Sequence, residues 1–240
     1  MNAQMTFKRY ELKYILTRKQ VKQLKEAMWE HMELDRFGHS TIRNIYLDTD
    51  NFRLIRRSIE KPLYKEKLRV RAYGKAGDND EVFVELKKKF ESVVYKRRLV
   101  LPHRMAMDAL ENGQPLPAEG QIAREIAAFR EFYGPMLKPA VFLSYEREAY
   151  YPTDGTDFRL TLDENILWRT DHIDLGASCW GASLLSPDEV LMELKTPGGI
   201  PLWMVRFLNE NHIRKVSFSK YGTAYQQMLT ANKLGGKRYA

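Results

Sequence analysis

One stretch constrains this chain more than any other: "KEKLRVRAYG", residues 65–74. Successive side chains of a strand point to opposite sides. Leu68, Val70 and Ala72 therefore share one face, and Lys67, Arg69, Arg71 and Tyr73 share the other. The apolar side needs a core to rest on. The polar side is basic at three successive positions, where an ordinary solvated strand mixes its charges.

The pattern returns elsewhere. "FKRYELKYI" (7–15) sets Arg9, Glu11 and Lys13 against Tyr10, Leu12 and Tyr14. "EVFVELKKKF" (81–90) sets Val82, Val84 and Leu86 against Phe83, Glu85, Lys87 and Lys89. In "SVVYKRRLVLP" (92–102), Lys96 and Arg98 share a face. With the stretch 62–74, further strands are expected at "IRNIYLDT" (42–49), "PAVFLSYEREAYY" (139–151), "DFRLTLDENILWR" (157–169) and "EVLMELKT" (189–196).

Helices are expected from Thr17 to Asp35, with Thr17 as N-cap and Val21, Leu24, Met28 and Met32 at helical spacing. A short helix follows residue 49, residues 103–134 look helical, and "PLWMVRFLNEN" and "SFSKYGTAYQQMLTANK" close the chain. Residues 170–188 are the least periodic part and read as a long loop. No repeat or linker divides the sequence. The expectation is one α+β domain over 1–240: about eight antiparallel strands closed into a barrel, with helices packed outside.

The basic positions are best judged together. Arg9, Lys13, Arg69, Arg71, Lys87, Lys96, Arg98, Arg147, Arg159, Lys195 and Lys220 stand against Glu11, Glu85, Asp163 and Glu193. Eleven against four is an excess of seven, nearly all of the formal charge of +8. Same-face neighbours on a strand lie ~7 Å apart. Each like pair then costs roughly 0.6 kcal/mol in water and about 2.4 kcal/mol at an effective dielectric of 20. One such strand is a solvated surface. Several inside a barrel would threaten a folded state worth only ~5–15 kcal/mol. An inward basic face therefore calls for a polyanion, with the few carboxylates paired or holding a cation. "SFSKYG" adds Ser217, Ser219 and Lys220 at a helix start, where an anion is favoured.

Other chemistries find little support. The sole cysteine, Cys179, excludes an internal disulfide framework and a cysteine zinc cluster. His31, His39, His103, His172 and His212 have no ligand spacing among them. "TPGGIP" (196–201) lacks the P-loop lysine pattern. The basic strands lack the interleaved aromatics of a base-stacking platform, so no nucleic-acid partner is expected. No apolar run approaches the ~18 residues of a membrane span, and the first residues have no apolar signal core. A cytoplasmic location is the expectation.

Six motifs, "RYELKY", "RVRAYG", "VFVELKKK", "SVVYKRR", "LMELKT" and "FSKYGTAY", occur in that order. Together they resemble the VTC domain, the polyphosphate polymerase branch of the triphosphate tunnel metalloenzymes (the CYTH-like superfamily), over residues 6–228. The resemblance implies an eight-stranded antiparallel barrel whose centre binds a triphosphate and Mn2+ or Mg2+. It implies transfer of the γ-phosphate of ATP to a growing polyphosphate chain.

Residue by residue, Arg69 and Arg71 match the arginines that grip phosphate, Lys87 matches a tunnel lysine, and Arg147 matches the arginine at the transferring end. These four are the implied catalytic set. Lys96 and Lys220 match further tunnel lysines, and with Arg9, Lys13, Arg98, Arg159 and Lys195 of the shared basic faces they make up the expected substrate-binding set. Glu193 matches the metal-binding glutamate, with Glu11 and Glu85 as further candidates. Glu85, flanked by Lys87, reads equally as a paired structural carboxylate. Asp163 reads as the partner of a tunnel arginine.

Two departures matter. Arg9 stands where hydrolytic relatives keep a glutamate, and Ser217 where polymerases tend to carry a further lysine. The inositol-phosphate-sensing domain and membrane segments of the eukaryotic complexes have no counterpart in this sequence, and a membrane-protein partner stays open. Two rival readings remain: a tunnel hydrolase acting on inorganic triphosphate or a nucleotide, and a non-catalytic binder of polyphosphate or nucleic acid.

Overall fold

The computed structural model describes residues 10–91 and 93–235, with side chains as far as residue 231. Arg9 lies outside the described residues. The strands are β1 (Tyr10–Thr17), β2 (Met32–Asp48), β3 (Tyr64–Tyr73), β4 (Glu81–Phe90), β5 (Val93–Pro102), β6 (Lys138–Pro152), β7 (Arg159–Arg169), β8 (Ala182–Ser183) and β9 (Glu189–Thr196). The helices are α1 (Arg18–Ala27), α2 (Arg53–Ile59), α3 (His103–Glu111), α4 (Gln121–Tyr133), α5 (Leu202–Glu210) and α6 (Lys220–Gly235). The strands form one nine-stranded sheet in the order β1-β9-β7-β6-β2-β3-β4-β5, with β8 beside β7. Every register resolved between them is antiparallel. The expected antiparallel α+β class is therefore present, with one short extra strand.

The chain gathers into two compact units. The first comprises the described residues up to Ser40 together with Tyr145–Ile166 and Leu185–Phe218. Its core joins Tyr14 and Leu16 of β1, Leu160 and Leu162 of β7, and Val190, Met192 and Leu194 of β9 to Leu24 of α1 and Met204 and Phe207 of α5. These strand positions alternate with Lys13, Asp163 and Glu193, so period-two patterning sends apolar and ionic side chains to opposite faces.

The second unit comprises Thr41–Ser144, Leu167–Leu184 and the residues from Ser219. Ile45, Leu47, Leu68, Val70, Val84 and Leu86 pack there with Ala106 and Leu110 of α3 and Ile126 and Phe129 of α4. Leu68, Val70 and Ala72 are buried as the opening stretch requires.

Two helical expectations need correction. The helix expected over Thr17–Asp35 ends at Ala27, and β2 begins at Met32 rather than at residue 42. Met28 and Met32 are both buried, but Met32 serves the core from a strand. Helical spacing alone cannot separate a last helical turn from a return into the sheet. The start is as expected: the Thr17 hydroxyl accepts from the Gln20 N–H, and the Gln20 side chain accepts from the Thr17 N–H. The region 103–134 divides into α3 and α4, separated by residues 112–120.

A buried carboxylate organises the start of α2. Its N-cap, Phe52, offers no side-chain acceptor. Asp48, fully buried, supplies one from the end of β2, accepting from the N–H groups of Thr49, Leu54 and Ile55. The Tyr221 hydroxyl of α6 donates to the same carboxylate at 2.9 Å. A hydrogen bond to a buried charge is worth about 1.5–3 kcal/mol. Tyr221→Phe is expected to cost about 2 kcal/mol, lowering the melting temperature by roughly 4–8 °C. An unchanged thermal midpoint would show that Asp48 is satisfied without it.

Candidate functional site

In the second unit, the face opposite the core is cationic, and the strand register sets its rows. Lys67 of β3, Lys87 of β4 and Lys96 of β5 lie directly opposite one another. The next row is Tyr46, Arg69, Glu85 and Arg98, and Asn44 faces Arg71 beyond it. Directly opposed side chains start ~5 Å apart. A like pair at that spacing costs about 0.8 kcal/mol in water and about 3 kcal/mol at an effective dielectric of 20. Three lysines in one row are tolerable only where an anion or solvent can sit over them.

Glu85 offsets part of that charge. Only 1 % of its side chain is exposed. One oxygen accepts from Arg69 Nε at 2.8 Å and Nη2 at 2.6 Å. The other accepts from Arg98 Nε at 2.8 Å and from Lys96 Nζ at 2.7 Å. Burial alone would raise its pKa, but Arg69, Arg71 and Lys96 outweigh burial and hold it well below the usual carboxylate range. Arg71 is fixed by its Nε–H donating to Asn44 Oδ1 at 2.9 Å. Lys67 Nζ donates to Ser219 Oγ at 3.3 Å, and that hydroxyl also accepts from the Gly222 N–H in the first turn of α6. Lys220, at the same helix start, is buried.

Tyr46 is a site residue that the sequence reading misses. Its parity in "IRNIYLDT", two residues from Asn44, was the available signal. Its hydroxyl accepts from Arg69 Nη1 at 3.3 Å. Burial raises its pKa, yet Arg69, Lys67 and Arg71 together pull it down to about 8. Phenolate formation near pH 8 should weaken the cationic face as pH rises. Ultraviolet titration is expected to show one tyrosine ionising near that pH, and Tyr46→Phe should remove the step. Ionisation of every tyrosine at ~10 or above would contradict this electrostatic picture.

The first unit carries a more balanced cluster. Arg147 is held by Asp163 in a bidentate pair, Nε to Oδ1 at 2.6 Å and Nη2 to Oδ2 at 2.7 Å. Asp163 is fully buried and plays the expected part of arginine partner. Arg147 Nη2 also reaches Glu193 Oε2 at 3.3 Å. Burial lowers the Arg147 pKa, but Tyr145, Asp163 and Glu193 overcome it and raise it well above the ordinary value.

On the strand register, Lys13 faces Glu193, and its ammonium lies 3.0 Å from Glu193 Oε1 and 3.1 Å from Glu11 Oε1. Lys195 lies opposite Glu11 on one side and Arg159 on the other. Arg159 is half-exposed, pairs with Asp157 at 3.4 Å and lies over the Tyr151 ring.

These contacts separate the three metal candidates. The Lys13 ammonium already sits between Glu11 and Glu193, a position where two carboxylates favour a cation. Thr161 faces Glu193 on the register, and its buried hydroxyl has no hydrogen-bond partner among the described residues. Carboxylate, carboxylate and hydroxyl oxygens suit a hard divalent ion. Glu85 differs, since both of its oxygens are taken by guanidinium and ammonium groups.

A family model for the VTC domain matches residues 8–229, spanning both clusters. The chain belongs to the VTC domain family. Among solved structures, this VTC domain is similar to a candidate adenylate cyclase from Bacillus halodurans, with a TM-score of 0.55 and 18% identity over 88% of this chain and 95% of that one. It is also similar to a candidate adenylyl cyclase from Hippeastrum with a dominant triphosphatase activity, with a TM-score of 0.55 and 16% identity over 90% and 95% of the two chains. At such identities the likeness establishes the fold. A search of curated proteins finds no match to the chain. No helix among the described residues is long and apolar enough to cross a membrane.

Proposed function

We propose that this VTC domain is a divalent-metal-dependent phosphotransferase that moves the γ-phosphate of ATP onto inorganic polyphosphate. The observation that carries the reading is the opposed row of Lys67, Lys87 and Lys96 beside Arg69, Glu85 and Arg98. A linear polyanion of closely spaced phosphates is the ligand that suits such a face. Lysines act as mobile point charges that let a chain advance, while guanidiniums grip oxygens in fixed forks. Closure of the sheet into the family's barrel is part of this proposal.

In this reading Arg69 and Arg71 orient the triphosphate, and Glu85 and Asn44 hold those two guanidiniums in place. Lys87, Lys96, Arg98 and Lys220 carry the chain. Arg147, locked by Asp163, neutralises charge at the transferring phosphate, with Lys13, Arg159 and Lys195 beside it. Glu193 and Glu11 would hold Mn2+ or Mg2+, which would supply charge neutralisation at phosphate oxygens. Glu85 is assigned to positioning rather than to the metal. A terminal polyphosphate oxygen, already anionic, attacks the γ-phosphorus, and the bond to the bridging β–γ oxygen breaks to release ADP. No base is needed for that nucleophile. Catalysis rests on positioning and electrostatic stabilisation.

Hydrolysis would instead require a water to be held and deprotonated. Arg9, at the position where hydrolytic relatives keep a glutamate, favours transfer on sequence grounds. Partners under this reading are ATP and polyphosphate. The reading is tested by following ADP and orthophosphate together with Mn2+ present: ADP should accumulate well in excess of orthophosphate. Equal release of the two would favour the hydrolase.

A further inference from the structure

A second ionic constellation in the first unit uses none of the residues assigned above. His39 of β2, Glu146 of β6 and Glu164 of β7 converge so that one ligand atom from each lies within 4.8 Å of the others. Glu146 alternates with Arg147, and Glu164 with Asp163, so both point to the face opposite the Arg147–Asp163 pair. On that face lies a groove of about 710 Å3, bordered by Arg18, Lys22, Lys25 and Trp29 on one side and by the two glutamates and His39 on the other.

We propose that His39, Glu146 and Glu164 form a binding site for a divalent transition-metal ion, with its open coordination positions facing this groove. His39 Nε2 lies 3.5 Å from Glu146 Oε2 and 3.5 Å from Glu164 Oε1. Those separations are too long for charge-assisted hydrogen bonds, which settle at ~2.7–2.9 Å. They match the ~3.3–3.6 Å edge between two ligands that each sit ~2.0–2.2 Å from a tetrahedral ion.

The glutamates are held by further partners, as metal ligands generally are. Arg18 Nη1 takes Glu164 Oε2 at 2.9 Å, leaving Oε1 turned toward the imidazole. Asn165 Nδ2 donates to Glu146 Oε2 at 2.8 Å. Lys25 engages the neighbouring Glu148 at 2.7 Å, so that carboxylate does not compete for the ion.

One imidazole with two carboxylates suits Zn2+ or Co2+ better than Mg2+ or Ca2+, which favour all-oxygen sets. Three protein ligands leave a fourth position for water or an exogenous ligand. Histidine spacing in the sequence gives no hint of the site, because a single histidine from β2 joins glutamates from two later strands, β6 and β7.

The test is Zn2+ retention after dialysis, with a Co2+ visible spectrum as a second readout. It uses the full chain, His39→Ala, Glu164→Gln and Glu193→Gln, each checked for folding by circular dichroism. Wild type and Glu193→Gln are expected to retain one tightly held Zn2+ per chain and to show tetrahedral Co2+ absorption. His39→Ala and Glu164→Gln should bind at least about tenfold more weakly and lose that absorption. Retention by folded His39→Ala equal to wild type, or no retention by wild type, would overturn the proposal. Loss in Glu193→Gln alone would place the ion at Glu193 and overturn it equally. None of these outcomes depends on whether the protein makes polyphosphate.

Discussion

Glu193→Gln is expected to lower metal-dependent turnover by at least about 10²-fold while leaving the fold intact. The substitution keeps the shape of the side chain and removes one charge. Arg147 retains its bidentate pair with Asp163, and Lys13 retains Glu11 at 3.1 Å, so neither cation is left without a carboxylate. A divalent ion held by Glu193 and Glu11, as proposed, would lose the buried member of its carboxylate pair. The check is turnover against Mn2+ concentration, alongside a thermal melt. Wild-type Mn2+ dependence in a folded variant would move the metal away from Glu193.

Glu85→Gln should act differently, on stability first. It leaves Arg69, Arg98 and Lys96 facing one another without the carboxylate they share. Breaking a buried pair costs about 3–5 kcal/mol. The three cations are partly exposed, with side-chain exposures of 22%, 36% and 43%, so the lower end applies. About 3 kcal/mol corresponds to a fall of roughly 6–12 °C in the melting temperature.

The pH dependence has a definite sign. Glu85 has a folded pKa depressed below its unfolded value, so its contribution is present above the unfolded carboxylate range near ~4.3. It is lost as pH falls. The stability gap between wild type and Glu85→Gln should therefore be widest near neutrality and narrow in acid. Inorganic triphosphate should raise the midpoint of the variant more than that of wild type, because an anion replaces the missing charge. Equal stability of the two proteins at neutral pH would show that Glu85 does not hold the arginines.

Much of this arrangement is legible in the sequence because strand parity is a strict rule. β9 has the expected bounds, and the alternation in β1, β3 and β4 assigns Lys13, Arg69, Arg71 and Glu85 to ionic faces before any partner is known. The resemblance then attaches roles to those residues. What escapes is what depends on distant partners. The end of α1 at Ala27 is one case, since Met32 can be buried from a strand as well as from a helix.

Residues 170–188 lack periodicity, yet the segment is tied down by side chains reaching its carbonyls. Arg43 donates to Leu175 and Ala177, and Arg169 to Asp171, His172 and Trp180. Arginine-to-carbonyl bonding leaves no pattern in the segment that accepts it. The His39, Glu146 and Glu164 group is hidden because its three side chains come together only when β2, β6 and β7 are folded. The expectation for Arg9 falls outside the described residues, and its contribution rests on sequence alone.

The central claim is transfer to polyphosphate, and following labelled γ-phosphate tests it most directly. Pure protein incubated with γ-labelled ATP and Mn2+ is expected to place the label in a ladder of polyphosphate chains of dispersed length, with free orthophosphate a minor product. Label released as orthophosphate in step with ADP, or ATP left intact while inorganic triphosphate is cleaved, would contradict the claim and establish the hydrolase in its place.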